Sequence, residues 1–508
     1  MKKTNKFIAN AVLLSVVNIL MRGIGVSFNA YISRKIGAES MGVFTLIMSV
    51  YSFALTVALS CVNLAAVRLT SERCANLAGA DRDSWKKSMK SVMRSVCLYA
   101  VLFGVSAGIL LFSFSRPISL YLLHDERTLK SLKVLSFSLP AVSLASALSG
   151  FFTGLRKITK NAFSSISEQF IRIVVTSTAL VMISPENIEY SCLAVVAGGA
   201  VAEGWSLFIN YIMYVFDNKK PTDVKYGTLS LRIKTHLKDT MNISLPSAVG
   251  AYARQGLSTL EHLAIPEGLK KSGLNEKSSL TVYGLLHGIA MPLVMFPYAV
   301  IGSVTSLLIP EIAERNEMND REGIRRLTYK VYRYSAIFSI GACGIFVNYS
   351  NELGILVYDS AEAAKYTFIL GLLVPLMYLD TAVDALLKGL GEQVYTMKVN
   401  IVDAASGLIL VILLTPSLGI YGYILTMWVC EAGNLYASIY KLAKVSGVSI
   451  KKALKCHIKP VAVCLLISFT VKNIFGFLKP IFSMIFFVTA YMLFIILESG
   501  AEKKKKDL

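Results

Sequence analysis

Arg22 lies inside an apolar run that is long enough to cross a bilayer. The run extends from Phe7 to Ile32, and about 20 residues at 1.5 Å each span the hydrocarbon core. An arginine in hydrocarbon is costly, so its guanidinium should face water or a partner. The guanidinium fork matches phosphate or diphosphate oxygens in pairs. We therefore predict that Arg22 binds an anionic substrate; the alternatives are a structural ion pair or snorkelling to the outer interface.

A second arginine, Arg254, occupies a similar depth in the apolar segment 240–262. Two arginines facing one cavity would suit an anionic lipid headgroup. The sequence therefore makes Arg254 the second candidate ligand.

Four carboxylates also lie within apolar segments: Glu203, Asp380, Asp384 and Glu431. Asp380 and Asp384 are four residues apart and share one helix face. Such groups could take up H+ or Na+ and couple transport to an ion gradient, whereas local pairing is the structural alternative. For Glu168 the sequence favours local pairing, because Arg172 follows at i+4.

Motifs for metal, cofactor or ATP chemistry are missing from the sequence. The five histidines and eight cysteines show no metal-type spacing, and the chain has no phosphate-binding loop, GxSxG or HExxH motif. An integral glycosyltransferase would need a substantial extramembrane region, but the longest loops have only about twenty residues. We therefore predict no cofactor, no metal and no enzymatic activity.

The composition is that of a polytopic membrane protein. Of 508 residues, 54% are hydrophobic and 17% charged, against about 25% charged in soluble domains, and the mean hydropathy is +0.58. We predict an all-α integral membrane protein with about fourteen transmembrane helices. Their ranges are 7–32, 42–69, 91–114, 131–153, 161–183, 190–216, 240–262, 280–309, 331–351, 364–387, 398–415, 419–440, 457–472 and 480–498.

The distribution of lysine and arginine predicts the orientation. With a cytoplasmic N-terminus, 35 of the 52 Lys and Arg residues lie on the inside and 11 on the outside. This bias over short loops places both termini in the cytoplasm, in a multi-pass protein of the cell membrane. It explains the net charge of +20 without a nucleic acid partner. The lysines at 503–506 are expected to lie against anionic lipid headgroups.

The two halves of the chain resemble each other. At an offset of 235, Pro140 matches Pro375 and Glu168 matches Asp403; at an offset of 228, Glu203 matches Glu431. We predict an N-terminal six-helix lobe (1–216), a cytoplasmic linker (217–239), a C-terminal six-helix lobe (240–440), and two extra helices with a basic tail (441–508). An even number of spans separates the halves, so the lobes form parallel repeats of the kind that transporters use around a midplane site.

These features resemble the multidrug/oligosaccharidyl-lipid/polysaccharide exporter superfamily. The first loop, from Arg34-Lys35-Ile36-Gly37-Ala38-Glu39 to Gly42-Val43-Phe44, is similar to the polysaccharide-flippase branch that includes stage V sporulation protein B. Residues from Leu245-Pro246 to Ile309-Pro310-Glu311 resemble helices seven and eight of that branch and of MurJ-type lipid II flippases. The resemblance implies two MATE/MurJ-like lobes and a cell-wall or polysaccharide precursor as cargo.

The first helix departs from the MurJ-type pattern Arg-x-x-Gly-x-x-Arg-Asp. Phe28 and Asn29 stand at its last two positions, so the second arginine is missing; Asn29 is kept as a substrate-binding candidate. The resemblance thus implies a polyprenyl-diphosphate saccharide, flipped from the inner to the outer leaflet by alternating access, without specifying lipid II. The alternatives are a cation-coupled multidrug or small-molecule exporter of the same fold, and a scaffold for envelope assembly that transports nothing.

Overall fold

The structure is a computed structural model that describes residues 2–76, 82–183, 187–217, 237–449, 455–474 and 480–504. Within these ranges the chain forms helices and turns, with no β-strand. The helices are α1 (Lys2–Leu59), α2 (Val62–Asn76), α3 (Arg82–Pro117), α4 (Leu129–Gly154), α5 (Ile158–Val181), α6 (Ile188–Val215), α7 (Leu237–Lys271), α8 (Glu276–Tyr283), α9 (Met291–Val294), α10 (Tyr298–Glu317), α11 (Arg321–Asn348), α12 (Ser350–Tyr358), α13 (Ala361–Gly389), α14 (Gln393–Leu418), α15 (Ile420–Ser446), α16 (Ile458–Ile474) and α17 (Pro480–Lys504).

The prediction of an all-α membrane protein is confirmed, and each of the fourteen predicted segments lies on helical residues, although 42–69, 280–309 and 331–351 are each divided between two or more helices. In the described part of the chain, seven helices are long and apolar enough to cross a membrane, or up to nine if each of two bent pairs is one span. One of the seven, Ile19–Cys74, contains the second predicted span and residues 19–32 of the first. The predicted spans on α5, α7, α15 and α16 are not among those that meet this criterion. Residues 218–236 of the predicted linker and 505–508 of the basic tail lie outside the described residues.

The breaks between the first helices lie at other positions than the predicted boundaries of the first two spans. The helix α1 runs through the predicted loop 33–41 and is interrupted at Gly37, whose φ is 78° and ψ 170°. Glycine is essentially the only residue that adopts this conformation readily. The second predicted span, 42–69, is broken instead at Ser60 and Cys61, whose φ angles are 40° and 57°.

Two later spans are bent. The helices α8 and α9 are joined by a π-helical segment, Gly284–Ala290, and the chain turns by 51° before α10. Pro297 precedes α10, and a proline lacks the N–H group that would continue the helix. The helices α11 and α12 meet at 76°. Neither bend was predicted from the hydropathy pattern.

The chain divides into two compact units: unit 1 contains 1–17 and 35–267, and unit 2 contains 18–34 and 268–508. These units differ from the predicted lobes at two helices. Residues 18–34 of α1 belong to unit 2, and most of α7 belongs to unit 1. Hydropathy reports how apolar a helix is but not which neighbours it packs against, so this exchange was not visible in the sequence.

In unit 1, α4 packs against α2, α3 and α6, and α5 packs against α6. Glycines allow α2 and α4 to approach closely. A Cβ atom at Gly150 would lie 2.6 Å from the Ala66 Cβ, and one at Gly154 would lie 2.8 Å from the Thr70 Cβ. Small residues at such contacts are typical of membrane helices, where close van der Waals packing drives association.

In unit 2, α13 is the central helix and packs against α10, α11, α12 and α15. The buried residues Tyr332, Leu379 and Leu387 belong to this core. The helices α16 and α17 pack on α11, where Glu498 forms ion pairs with Arg333 and Lys459. The two extra helices are therefore held on α11 by charge as well as by apolar contacts.

Candidate functional site

Arg22 lies in unit 2, on the part of α1 that faces the bend before α10. Its side chain is exposed, the Nη2 atom lies 3.5 Å from the carbonyl oxygen of Met295, and the guanidinium carbon lies 5.9 Å from the centre of the Tyr298 ring. The neighbouring Gly23 lies against Phe296, whose Cε2 atom would be 3.4 Å from an added Cβ. The Arg22 guanidinium thus makes a weak hydrogen bond and a cation–π contact. It forms no ion pair with another described residue, so its positive charge is not neutralised by a carboxylate.

Two packed tyrosine rings, Tyr298 and Tyr378, form an aromatic cluster beside Arg22. The Tyr298 and Tyr378 rings meet edge to face at 5.8 Å. The Tyr378 hydroxyl donates a hydrogen bond of 2.5 Å to the carbonyl oxygen of Val294, which ties α13 to the end of α9. This aromatic cluster is therefore held in place by the same bend that carries the Met295 carbonyl group.

The other two substrate-binding candidates lie in different surroundings. Asn29 is half-buried in unit 2, and its Oδ1 atom has no hydrogen-bond partner among the described residues. Arg254 is exposed on the unit 1 part of α7. No hydrogen bond or ion pair joins its guanidinium to another described residue, so both groups retain free binding capacity.

In unit 2 the predicted carboxylates gather on and near α13. Asp384 is only 9% exposed; its Oδ2 atom accepts a hydrogen bond of 3.2 Å from Asn400 and lies 3.6 Å from the Lys388 Nζ. Asp380 lies one turn earlier and is half-buried. Glu431 is half-buried on α15, a helix that packs on α13. Asp384 is thus partly compensated by a lysine at i+4.

In unit 1 the predicted carboxylate Glu203 is held by hydroxyl groups. The Tyr51 hydroxyl lies 3.0 Å and 2.8 Å from its two carboxylate oxygens and 2.9 Å from the Ser138 Oγ. In the described part of the chain, no lysine or arginine lies within ion-pair distance of Glu203. Glu168, by contrast, pairs with Arg172 at 2.8 Å, so the predicted local pair is confirmed.

Sequence reasoning missed several residues that complete these sites. Tyr51, Tyr298 and Asn400 contact Glu203, Arg22 and Asp384, respectively. Each is a polar or aromatic residue within an apolar run, which is a recognisable signal. Its meaning depends on a contact across the fold, however, and the spacing along the chain does not reveal that contact.

The loops carry ion pairs that stabilise turns rather than binding sites. Arg127 donates hydrogen bonds to Asp125 at 2.7 Å and to Glu39 at 3.2 Å. Burial would raise the pKa of the Asp217 carboxyl, but hydrogen bonds from Lys157 and Lys160 hold it below its usual value. No group of three or more His, Cys, Asp or Glu side chains within the described ranges could hold a metal ion.

The comparison with protein families decides the family. Residues 7–316 match the model of the family described as "Polysaccharide biosynthesis protein". The chain belongs to this polysaccharide biosynthesis family. Its curated relatives include "Stage V sporulation protein B" of Bacillus subtilis (strain 168), which is 24% identical over 479 residues, or 93% of this chain and 90% of the relative. The predicted membership of a polysaccharide biosynthesis branch is confirmed at the level of this family.

Solved structures show the same fold. The lipid II flippase MurJ in an inward closed conformation matches with a TM-score of 0.71 at 14% identity, over 96% of this chain and 99% of that protein. An inward-facing multidrug resistance MATE family transporter matches with a TM-score of 0.62 at 13% identity, over 88% and 98%. These proteins are a flippase and a transporter rather than enzymes, in agreement with the prediction. The family member described here is a multi-pass membrane protein with a MurJ- and MATE-like fold.

Proposed function

We propose that this protein flips a lipid-linked oligosaccharide, a polyprenyl-diphosphate saccharide used as a cell-wall or polysaccharide precursor, from the inner to the outer leaflet by alternating access. The observation that carries the proposal is Arg22, an exposed guanidinium on a membrane-spanning helix, which forms no ion pair with another described residue. Membership of the polysaccharide biosynthesis family supports the class of cargo.

Arg22 binds the diphosphate while the polyprenyl tail stays in lipid. A cation is costly in the membrane unless it is compensated, and a diphosphate supplies both the charge and the paired oxygens that a guanidinium fork matches. Before the substrate binds, the cation–π contact with the Tyr298 ring partly stabilises the charged guanidinium of Arg22. Arg254 is a second ligand, and the free Oδ1 of Asn29 accepts a hydrogen bond from a saccharide hydroxyl.

Both termini lie in the cytoplasm in this proposal, as the positive-inside bias favours. The basic inner surface attracts anionic headgroups and raises the local concentration of the substrate. Uptake of H+ or Na+ at Glu203, Asp380, Asp384 or Glu431 supplies the driving force.

The test is translocation of a fluorescent polyprenyl-diphosphate saccharide in proteoliposomes that contain wild type, Arg22→Ala or Arg68→Ala. Arg68 is exposed and pairs with Glu72 on the surface of α2, so it is a matched control. We expect Arg22→Ala to abolish flipping and Arg68→Ala to preserve it. Equal flipping by all three proteins would refute the role of Arg22, and a folded wild type that does not flip would refute the function.

A second candidate function is cation-coupled export of drugs or small molecules. The hydroxyl-held Glu203, with no basic partner among the described residues, and the fold shared with a multidrug resistance transporter favour it. Export of a cationic dye by wild type, lost in Glu203→Gln and retained in Arg22→Ala, would support this alternative over the flippase.

A further inference from the structure

The break between α1 and α2 lies at two residues in the left-handed region of the backbone. Ser60 and Cys61 have φ angles of 40° and 57°, and residues that carry a Cβ atom adopt such angles only at a cost in free energy. Strain of this kind persists only where the surrounding structure holds it in place. The contacts of these two residues therefore indicate what the break is for.

Side chains from α3 and α7 bind the polar groups at this break. A break in a membrane helix exposes backbone carbonyl groups that need partners, and lipid offers none. The Tyr99 hydroxyl of α3 donates to the Ser60 carbonyl oxygen at 2.9 Å, and the Ser244 hydroxyl of α7 donates to the Cys61 carbonyl oxygen at 3.3 Å. The Tyr252 hydroxyl of α7 is hydrogen-bonded to the Ser60 hydroxyl. Two of these three side chains come from α7.

Further polar contacts join α7 to unit 1 on the same helix face. The hydroxyl oxygens of Thr240 and Ser95 lie 2.8 Å apart, and the Thr259 hydroxyl donates to the Ser49 carbonyl oxygen at 3.0 Å. At 3.6 residues per turn, the four α7 hydroxyl groups lie within about 120° of one another around the helix. They therefore give a physical reason why most of α7 belongs to unit 1.

Pro246 divides α7 into two parts that are held differently. This proline lies inside the helix, where it removes a backbone hydrogen bond and weakens that turn. Before it, Leu237, Met241 and Ile243 pack against the apolar core of α2, α3 and α4. Arg254 is exposed and lies eight residues after it. The part of α7 that carries Arg254 is therefore held by the hydroxyl contacts that follow the proline.

We infer that the α1–α2 break serves to hold α7 in unit 1, and that Tyr252 and Thr259 are positioning residues for Arg254. Arg254 lies about 100° around the helix from the middle of the hydrogen-bonded face. A rotation or slide of α7 would therefore displace its guanidinium. The role of Arg254 rests on the proposed function, in which it is the second ligand of the diphosphate, whereas the attachment of α7 requires no substrate.

Motion at position 254 tests this attachment without substrate. The eight native cysteines are replaced by serine, Arg254→Cys carries a nitroxide spin label, and its electron paramagnetic resonance spectrum is recorded in nanodiscs. We expect Tyr252→Phe and Thr259→Val, which remove hydroxyl groups at nearly constant volume, to increase the mobility of the label. Tyr211→Phe is the matched control, because Tyr211 is exposed on α6 and forms no hydrogen bond with another described residue. Unchanged mobility in both test variants would overturn the inference.

Flipping by the full chain with its native cysteines tests the positioning role. Tyr252→Phe should raise the concentration of fluorescent polyprenyl-diphosphate saccharide at half-maximal rate by roughly 3- to 10-fold, the effect of one hydrogen bond, and leave the maximal rate nearly unchanged. In the Arg254→Ala background the same substitution should have no further effect, because residues that act together are not additive. An equal loss in both backgrounds, or a lower maximal rate at an unchanged half-saturating concentration, would indicate a purely structural role and overturn the inference.

The two measurements separate this inference from the proposed function. Increased label mobility in Tyr252→Phe, together with a folded wild type that does not flip, would support the attachment of α7 and refute the flippase. Flipping by wild type, with a label that neither Tyr252→Phe nor Thr259→Val affects, would do the reverse.

Discussion

At the scale of single residues, the geometry of Arg22 matters as much as its charge. Lysine would keep the charge but would lose the planar fork that pairs with two oxygens. We expect Arg22→Lys to slow flipping by roughly 10- to 100-fold, the loss that corresponds to one charged hydrogen bond of about 1.5–3 kcal/mol. Initial rates in proteoliposomes, normalised to reconstituted protein, measure this. Flipping at the wild-type rate by Arg22→Lys would show that charge alone suffices.

A second residue-scale prediction concerns Asp217, which pairs with Lys157 at 2.6 Å and with Lys160 at 3.0 Å. The two lysines hold its pKa below the ordinary value. Its stabilising effect is therefore complete above the ordinary carboxyl pKa of about 4 and is lost as the pH falls through the lower folded-state value. We expect Asp217→Asn to reduce stability by about 1.5–3 kcal/mol at neutral pH, and the difference from wild type to shrink under acid conditions.

Unfolding midpoints of wild type and Asp217→Asn between neutral and acid pH check this prediction. Asp320→Asn is a useful comparison, because Asp320 is more exposed and its partner Arg315 also pairs with Glu311. A gap between wild type and Asp217→Asn that stays constant down to low pH would contradict the assignment of the ion pair.

At the scale of elements, Gly37 sets the path of α1. With φ at 78° and ψ at 170°, it occupies a region that is essentially restricted to glycine. We expect Gly37→Ala to cost about 1–3 kcal/mol of stability and to reduce flipping, because α1 passes from unit 2 to unit 1 near this residue. Gly25→Ala is the control: Gly25 lies on the same helix without a positive φ and with nothing within 4 Å of an added Cβ.

A second element-scale prediction concerns the contact between α2 and α4. An added Cβ at Gly150 would lie 2.6 Å from the Ala66 Cβ and 2.9 Å from the Asn63 carbonyl oxygen. We expect Gly150→Ala to destabilise unit 1 by about 1–3 kcal/mol, the usual cost of overpacking. Gly199→Ala on α6, where nothing lies within 4 Å of the added atom, should be neutral in the same thermal unfolding measurement.

These elements also show what the sequence could and could not predict. Long apolar runs predicted the positions of the long helices, because hydrophobic length alone selects a membrane span, and the spacing of Glu168 and Arg172 predicted their ion pair. The break at Ser60 and the hydrogen bond from Tyr51 to Glu203 were missed. Both depend on contacts between residues far apart in the chain, and no local pattern encodes those contacts.

At the scale of the whole molecule, the two compact units do not coincide with the two predicted halves of the sequence at α1 and α7. Arg22 lies in the first sequence half but belongs to unit 2, and Arg254 lies in the second half but belongs to unit 1. The two candidate arginines, which lie at similar depth in their predicted spans, are thus each carried by the unit built mainly from the other half. Substitutions of Arg22 and Arg254 therefore probe different units, and their effects on flipping need not be equal.

Orientation is the last whole-molecule prediction, and it fixes the direction of transport. The excess of lysine and arginine in the segments assigned to the inside predicts that both termini lie in the cytoplasm and that the turn at Gly273 lies outside. This turn is exposed, and Gly273 has a φ of 102°, so it should tolerate an inserted epitope. We expect an epitope at Gly273 to be reached by antibody in intact cells, and one after Leu508 only after permeabilisation. The opposite pattern of antibody access would show that the protein has the reverse orientation in the membrane. The basic surface that is proposed to attract the substrate would then face the outer leaflet.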